Sequence, residues 1–423
     1  MSAAQLREEK ESLTRRYEEF QSKGLSLDMS RGQPCTEQFD LSDGLLTVLQ
    51  EGGQCQNGNI DCRNYGVVDG LPQLKALFAE ILDVDPKNVI VGGNSSLNMM
   101  FDVISQGMTH GFGEGPWAAV ENRKFLCPSP GYDRHFGLTE YFGFELIPVD
   151  MTPDGPEMEQ VERWIADPTV KGMWCVPKFS NPQGYVYSDE TVRRIASLRP
   201  AAADFRVMWD NSYAVHSLFE DVPLLPIQAE CTKAGNPDLV IHFSSTSKIS
   251  FAGAGVAALA ASEGNLVRIK KRLGAQTIGP DKINQLRHSL YFKNITDVKN
   301  QMERHAAILR PKFEIVLSML ARELTGVVEW NHPKGGYFIS VDTMDGCASR
   351  VVSLCGEAGV KLTPAGATYP YGKDPRDRNI RVAPTRPPVE ELRLAAELFC
   401  IAAKLATVEK LLETGAQAEE KIS

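Results

Sequence analysis

The chain has 423 residues, a formal net charge of −9 and a pI near 5.5. This length is sufficient to bury a large core, and it predicts two or three domains. The acidic balance argues against a nucleic acid or an anionic membrane surface as the partner, because the sequence has no basic stripe. Small metabolites are the better candidates.

The cysteines and the apolar runs indicate a reducing compartment. Nine cysteines are scattered without a Cys-x-x-Cys pair, which favours the cytosol over a disulfide framework or a zinc site. The N-terminal region is charged, and no run of about eighteen apolar residues occurs, so we expect neither a signal peptide nor a membrane span. The sequence therefore predicts a soluble, cytoplasmic protein without a metal centre.

The first predicted element is a surface helix at 5–23. It carries Leu6, Leu13, Tyr17 and Phe20 near helical spacing, and an exposed arm is the alternative. Seven short apolar runs then alternate with helical patterns, which is typical of a mostly parallel sheet with helices on both faces. The seven predicted strands are 89–91, 125–127, 144–149, 172–177, 206–209, 239–243 and 256–259.

The pattern changes after a long helical stretch at 283–324. Short strands are predicted at 327–330, 337–341, 361–363 and 380–383, with helices around 349–358 and 389–412. We interpret this part as a smaller α+β domain that the N-terminal segment joins. The predicted division is an N-terminal arm and helix at 1–60, a large ligand-binding domain at 61–290 and a small domain at 291–423.

Three polar motifs each follow a predicted strand. They are Asn-Pro-Gln-Gly at 181–184, Asp-Asn-Ser-Tyr at 210–213 and Ser-Thr-Ser-Lys at 245–248. Ligands of open parallel sheets lie beyond the carboxyl ends of the strands, so we expect the three motifs to converge on one ligand. Together they supply the polar groups that hold and operate a pyridoxal phosphate (PLP) ring.

Each motif offers a chemical role and a plainer alternative. Lys248 lies beside a small-residue stretch, where burial would lower its pKa and let the neutral amine form a Schiff base; a surface lysine is the alternative. Asp210 would pair with a protonated pyridine nitrogen, unless it is a turn aspartate. Tyr213 and Asn181 would hydrogen-bond the ring's phenolic oxygen, or else be a packed tyrosine and an ordinary Asn-Pro turn.

A glycine turn offers an anion site. The strand at 89–91 passes through two glycines to Ser95 and Ser96, and then into a helical pattern. Free amide groups at a helix start and nearby hydroxyls bind phosphate well. The two serines are plain N-caps in the alternative interpretation.

The order and spacing of the three motifs resemble the fold type I PLP-dependent aminotransferases of class I/II, over about residues 27–412. The segments 27–32, 93–96 and 362–372 are most similar to the bacterial subgroup Ic aspartate aminotransferases. The resemblance implies an α/β fold with a mostly parallel seven-stranded sheet in the large domain and a smaller α+β domain. It also implies pyridoxal 5'-phosphate as the cofactor.

The resemblance assigns further residues. Ser245 would bind the phosphate, Tyr132 would stack on the pyridine ring, and Tyr65 would reach the phosphate of the neighbouring subunit. Arg381 would clamp the substrate α-carboxylate with two parallel hydrogen bonds, beside Gly32 and Asn181 in the substrate pocket. The role of Tyr65 implies a homodimer with shared active sites.

Two departures from the family leave questions open. Many relatives carry a phosphate-binding arginine eight residues after the lysine, whereas this chain has Val256 there. The arginine that reads a dicarboxylate side chain from the other subunit has no clear match either. Near Arg381, three more arginines remain alternatives for the carboxylate clamp: Arg376, Arg378 and Arg386.

The predicted function is ping-pong transamination between L-aspartate or glutamate and 2-oxoglutarate or oxaloacetate, with Lys248, Asp210 and Tyr213 as the catalytic residues. The alternatives are transamination of alanine or aromatic amino acids and a PLP-dependent β-lyase. A PLP-binding transcription regulator is more distant, because about 26 residues before the family pattern cannot hold a winged-helix domain.

Overall fold

The computed structural model describes residues 1–49 and 55–420, with side chains to residue 415. Residues 50–54 belong to the predicted N-terminal arm and helix (1–60), and residues 421–423 end the predicted small domain (291–423). Both segments lie outside the described residues. The strands in chain order are β1 (Leu27–Asp28), β2 (Gln56–Asn57), β3 (Ile60–Asp61), β4 (Val89–Val91), β5 (Lys124–Ser129), β6 (Glu145–Thr152), β7 (Gly155–Pro156), β8 (Val170–Cys175), β9 (Arg206–Asp210), β10 (Val240–Ser245), β11 (Ala257–Ala261), β12 (Glu329–Trp330), β13 (Ile339–Asp342), β14 (Val360–Lys361) and β15 (Asn379–Val382).

The α-helices of the described residues separate these strands. In chain order they are α1 (Ala3–Gln21), α2 (Thr36–Asp40), α3 (Gly44–Thr47), α4 (Pro72–Leu82), α5 (Ser96–His110), α6 (Asp133–Tyr141), α7 (Met158–Trp164), α8 (Asp189–Ala196), α9 (Ile227–Lys233), α10 (Glu263–Gln276), α11 (Lys282–Tyr291), α12 (Ile295–Glu323), α13 (Ala348–Glu357) and α14 (Val389–Glu420).

Eight strands form the central sheet in the order β4-β11-β10-β9-β8-β5-β6-β7. The five strands from β10 to β6 run parallel, β11 runs antiparallel between β10 and β4, and β7 runs antiparallel to β6. The expected mostly parallel sheet is therefore confirmed, and all seven predicted strands are present. The eighth strand was not predicted because Gly155–Pro156 is too short to carry an alternating pattern.

The inner strands are covered on both faces, which explains their continuous apolar runs. Every residue of β8, β9, β10 and β11 is buried. Met208 packs on one side with Val103 of α5, whereas Trp209 packs on the other with Val192 of α8. Because successive side chains alternate between the faces, a strand covered on both sides reads as apolar throughout.

A three-stranded sheet and two two-stranded sheets of the described residues lie outside the central sheet. β12, β13 and β15 form a three-stranded antiparallel sheet, and β1 pairs with β14 in parallel. The expected long helix at 283–324 is instead α11 and α12, because Asn294 caps the second helix by accepting a hydrogen bond from the Asp297 amide at 3.2 Å. The predicted domain boundaries at 60/61 and 290/291 stay predictions.

The N-terminal helix is held by the stripe that its sequence predicts. Leu6, Leu13, Tyr17 and Phe20 are its four buried residues. They share a core with α13 and α14, and the Tyr17 hydroxyl donates to the Leu354 carbonyl at 2.9 Å. The segment is therefore packed against the C-terminal part of the chain and is not an exposed arm.

The cysteines and helices add two observations. All nine cysteines are unpaired, and eight of them are buried while Cys55 is half-buried. No helix within residues 1–49 and 55–420 has the length and the apolar character that crossing a bilayer requires.

We expect Gly107→Ala to destabilise the fold, because a Cβ on Gly107 of α5 would lie 2.3 Å from Cε3 of Trp117. The overpacking should lower the free energy of unfolding by about 1–3 kcal/mol. Gly137→Ala in α6 is the matched control, since a Cβ there meets no atom within 4 Å and should stabilise the helix by up to about 1 kcal/mol. Urea denaturation measures both; equal midpoints would contradict the packing argument.

Candidate active site

One cavity of about 650 Å³ collects nearly all the predicted site residues. It opens where the carboxyl ends of the parallel strands face the smaller sheet. Ten predicted residues line it: Gly32, Ser95, Ser96, Tyr132, Asn181, Asp210, Tyr213, Ser245, Lys248 and Arg381. Tyr65 does not line this cavity, and its side chain is 81% exposed.

Asp210 ends β9 and is held in a fixed orientation. One carboxylate oxygen lies 2.9 Å from Nε2 of His135, and the other accepts a hydrogen bond from the Ser212 hydroxyl at 2.5 Å. The His135 ring in turn stacks on Trp174, with 4.3 Å between the ring centroids and an interplanar angle of 9°. Since Asp210 and His135 are both buried, these contacts satisfy a charge that would otherwise be costly inside the protein.

Lys248 lies in the turn after β10, with its amine among aromatic rings. Nζ is 5.0 Å from the centroid of the Tyr213 ring and 5.8 Å from that of Tyr337. Burial lowers the pKa of Lys248, and the negative charge of Asp210 partly offsets that effect. A larger share of neutral amine, the nucleophilic form, follows from this environment.

Burial also sets the protonation of the two tyrosines in the cavity. It raises the pKa of Tyr213 well above its usual range and that of Tyr132 to about 12. Both phenols are therefore protonated near neutral pH and available as hydrogen-bond donors.

Arg381 projects from β15 into the same cavity. Its Nη1 donates to Oδ1 of Asn181 at 3.2 Å and to Oδ1 of Asp133 at 2.9 Å. The guanidinium carbon lies 4.9 Å from the centroid of the Phe338 ring. Nε is buried and has no partner within the described part of the chain, so the guanidinium keeps hydrogen-bonding capacity for a ligand.

The neighbouring arginines point elsewhere. Arg376 pairs with Asp345 at 2.9 Å, Arg386 with Asp28 at 3.1 Å, and Arg378 with Glu329 at 3.2 Å. Of the four arginines that the sequence left as alternatives, Arg381 is the one that lines the cavity.

Gly32 allows a close approach beside Arg381. A Cβ at this position would lie 2.4 Å from Cζ of Phe338, the ring against which the guanidinium packs. Any larger residue would displace that ring, so the requirement for glycine here is steric.

The opposite end of the cavity offers donors for an anion. Ser95 is the N-cap residue of α5, yet its hydroxyl makes no capping hydrogen bond, and Ser96 begins the helix. The hydroxyls of Ser245 and Ser247 lie 3.1 Å apart nearby. These hydroxyls and the free amide groups at the start of α5 can donate hydrogen bonds to an anion.

Val256 faces the core and not the cavity. It is 1% exposed, its amide donates to Oγ1 of Thr246 at 2.9 Å, and its carbonyl accepts from the Thr246 amide at 2.8 Å. The position that carries a phosphate-binding arginine in many relatives is therefore apolar here. Hydroxyls and amides are the donors that the described residues present at this end of the cavity.

Several residues of the site were not predicted, among them Asp133 and Phe338, which contact Arg381. His135 contacts Asp210, and Arg31, Arg134 and Lys361 line the cavity. His135 lies one helical turn after the predicted Tyr132, Arg31 adjoins the predicted Gly32, and Arg134 adjoins Asp133, which contacts Arg381. Proximity in sequence to these residues was the available signal. The pattern did not reveal which of these side chains face the cavity, because that depends on packing.

Comparisons with known proteins identify relatives of this sequence and this fold. The family model described as aspartate amino-transferase matches residues 1–415. An aspartate aminotransferase of Corynebacterium glutamicum is 45% identical over 404 residues, which cover 94% of each chain. A solved aspartate transaminase of the same species has a TM-score of 0.94 at 44% identity, covering 97% of this chain and 98% of that chain.

A more distant solved structure shares the fold. It is an α-aminoadipate aminotransferase from Thermus thermophilus, in complex with N-(5'-phosphopyridoxyl)-L-leucine. Its TM-score is 0.71 at 21% identity, covering 90% of this chain and 92% of that chain.

Fold and comparisons together define a PLP-dependent aminotransferase of fold type I. The chain belongs to the aspartate amino-transferase family. The fold class and the family resemblance expected from the sequence are thereby confirmed.

The donor set of the cavity fits PLP. A lysine amine with a lowered pKa and a buried carboxylate face the same space, as an aldehyde and a pyridine nitrogen require. The serine hydroxyls and the start of α5 suit the phosphate.

We expect Lys248 to titrate below the ordinary lysine pKa, and Asp210→Asn to lower its pKa further, because the carboxylate favours the ammonium form. An NMR titration of ¹³C-methylated protein prepared without PLP measures this, with Lys248→Arg identifying the resonance. An ordinary lysine pKa, or a rise in Asp210→Asn, would contradict the electrostatic account.

Proposed function

We propose that the enzyme transfers the amino group of L-aspartate to 2-oxoglutarate by a ping-pong route. The observation that carries the proposal is the convergence of a buried lysine amine, a buried aspartate and a carboxylate-binding arginine on one cavity. The substrate is supported by the names of the relatives at 44–45% identity, an aspartate aminotransferase and an aspartate transaminase.

Bound PLP would supply an electron sink that makes the α-proton of the amino acid acidic. Lys248 would hold the cofactor covalently and, once released by the substrate amine, its Nζ would accept the proton from the substrate Cα. Burial supports this base role, because it increases the share of neutral amine. The same Nζ would then deliver a proton to complete the transfer.

The side chains around the ring would tune that chemistry. Asp210, oriented by His135 and Ser212, would hold a proton on the pyridine nitrogen. Tyr213 and Asn181 would donate to the phenolic oxygen, and Tyr132 would stack on the ring. Ser95, Ser96 and Ser245 would bind the phosphate at the start of α5, without an arginine at the position of Val256.

Arg381 would orient the substrate through its α-carboxylate. The guanidinium already contacts Asn181 and Asp133 through Nη1, and its buried Nε has no partner among the described residues. A carboxylate bound there would receive charge-assisted hydrogen bonds. Gly32 would leave room for it by keeping the backbone close to Phe338.

We further propose that the enzyme works as a cytoplasmic homodimer with shared active sites. Tyr65 lies on the surface and is 81% exposed, which supports a role in a second subunit and not in its own cavity. The cytoplasmic location is supported by nine unpaired cysteines.

We expect Lys248→Ala to abolish turnover and the covalent attachment of PLP, since it removes the amine. Mass spectrometry after borohydride reduction measures attachment, and a coupled assay measures turnover. Lys87→Ala, at an exposed lysine paired with Asp85, is the control and should behave as the wild type. Retained turnover in Lys248→Ala would refute the assignment.

The absorption spectrum separates the cofactor from the substrate. L-aspartate alone should convert the band of the lysine-bound cofactor to that of the aminated cofactor. If L-aspartate leaves the band unchanged, the role of Lys248 stands, but the assignment of L-aspartate as the substrate is refuted.

Co-expression tests the shared site. Neither Tyr65→Ala nor Lys248→Ala alone should approach wild-type activity. A mixed dimer would have one intact site if Tyr65 serves the partner, so random pairing should restore about a quarter of the wild-type activity. If the co-expressed mixture is no more active than the separate variants, Tyr65 does not act in the partner's active site.

A further inference from the structure

The cavity carries an excess of positive charge in an acidic chain. Four cationic residues besides Lys248 line it, Arg31, Arg134, Lys361 and Arg381, against two carboxylates, Asp133 and Asp210. The chain as a whole has a net charge of −9. A local excess of this sign attracts anionic ligands and holds them.

Both carboxylates are already engaged. Asp133 lies 2.9 Å from Nη1 of Arg381, and Asp210 lies 2.9 Å from Nε2 of His135. They therefore do not neutralise the cations at the cavity mouth.

Three of the cations have no assigned role in the proposed chemistry. Arg31, Arg134 and Lys361 are exposed at the cavity mouth. Among the side chains of residues 1–49 and 55–415, no carboxylate lies within ion-pair distance of them, whereas Arg376, Arg378 and Arg386 each have at least one. Their charges remain available to a ligand.

The two arginines flank the groups that surround Arg381. Arg31 immediately precedes Gly32, which packs against Phe338 under the guanidinium. Arg134 immediately follows Asp133, which accepts a hydrogen bond from Arg381. Arg31 follows β1 of the smaller part and Arg134 lies in the first turn of α6, so two separate elements bring the arginines to the same cavity.

We propose that Arg31 and Arg134 bind the distal carboxylate of a dicarboxylic substrate, from the same subunit that supplies Lys248 and Arg381. The inference rests on the proposed function and names the residues that make the enzyme specific. A planar guanidinium binds a carboxylate with two parallel hydrogen bonds, which a lysine cannot do. Lys361 is also less suited to this role, because the parallel pairing of β1 and β14 places it opposite Asp28, a negatively charged residue that partly offsets its positive charge.

The experiment compares Arg31→Gln, Arg134→Gln and the double variant in the PLP-loaded enzyme. Isothermal titration calorimetry measures the dissociation constants of succinate, which has two carboxylates, and of butyrate, which has one. Neither compound has an amine that could react with the cofactor. Lys361→Gln is the matched control, since it removes one positive charge from the same cavity mouth.

We expect each arginine variant to weaken succinate binding about tenfold to a hundredfold, the effect of one charge-assisted hydrogen bond, and butyrate binding less than about threefold. The ratio of kcat/KM for L-aspartate to that for L-alanine should fall in parallel. Arg134→Lys should recover part of the succinate affinity, because it restores the charge but not the paired hydrogen bonds.

The outcomes separate this inference from the proposed function. If the wild type binds succinate no better than butyrate and does not use L-aspartate, the proposed substrate fails. If the wild type prefers succinate and the arginine variants keep that preference, the assignment of Arg31 and Arg134 is overturned. It is also overturned if Lys361→Gln weakens succinate binding as much as they do, since the effect would then be diffuse charge.

Discussion

The parallel direction of the inner strands is the constraint on which the site depends. Asp210 pairs with Phe243 in the register between β9 and β10, and Cys175 pairs with Trp209 between β8 and β9. All three strands therefore end at the same edge, where the segments after them meet around one cavity. Reversing a single strand would carry its functional residue to the opposite edge, about 17–20 Å away for a strand of ordinary length.

Burial at this edge favours the function of Lys248 but disfavours the charge of Asp210. It makes the amine of Lys248 more nucleophilic by disfavouring its charge, and it would make the charge of Asp210 costly if nothing compensated it. The contacts from His135 and Ser212 supply that compensation. The protein thus increases the share of neutral amine at Lys248 and stabilises the carboxylate of Asp210 within the same cavity.

The sequence revealed the parts of the structure that depend on local pattern. The seven longer strands and the α1 stripe follow from hydrophobic periodicity, and the motifs at strand ends follow from the geometry of parallel sheets. The resemblance favoured Arg381, but only tertiary packing shows that it lines the cavity while Arg376, Arg378 and Arg386 pair elsewhere. His135 was missed for the same reason, because its contact with Asp210 joins α6 to β9.

The family resemblance supplied what the residues alone could not. Tyr132, Gly32 and Tyr65 have no local pattern that marks them as functional. The fold brings the first two into the cavity, whereas Tyr65 is exposed and lies outside it, and the role proposed for Tyr65 would require a second chain.

The position of Arg381 between the two sheets has a thermodynamic consequence. The arginine joins the small antiparallel sheet, through β15, to Asn181 beyond the central one. A carboxylate bound to the guanidinium would add a link between the two sheets, so substrates should raise the unfolding temperature to the extent that their affinity for the folded protein sets.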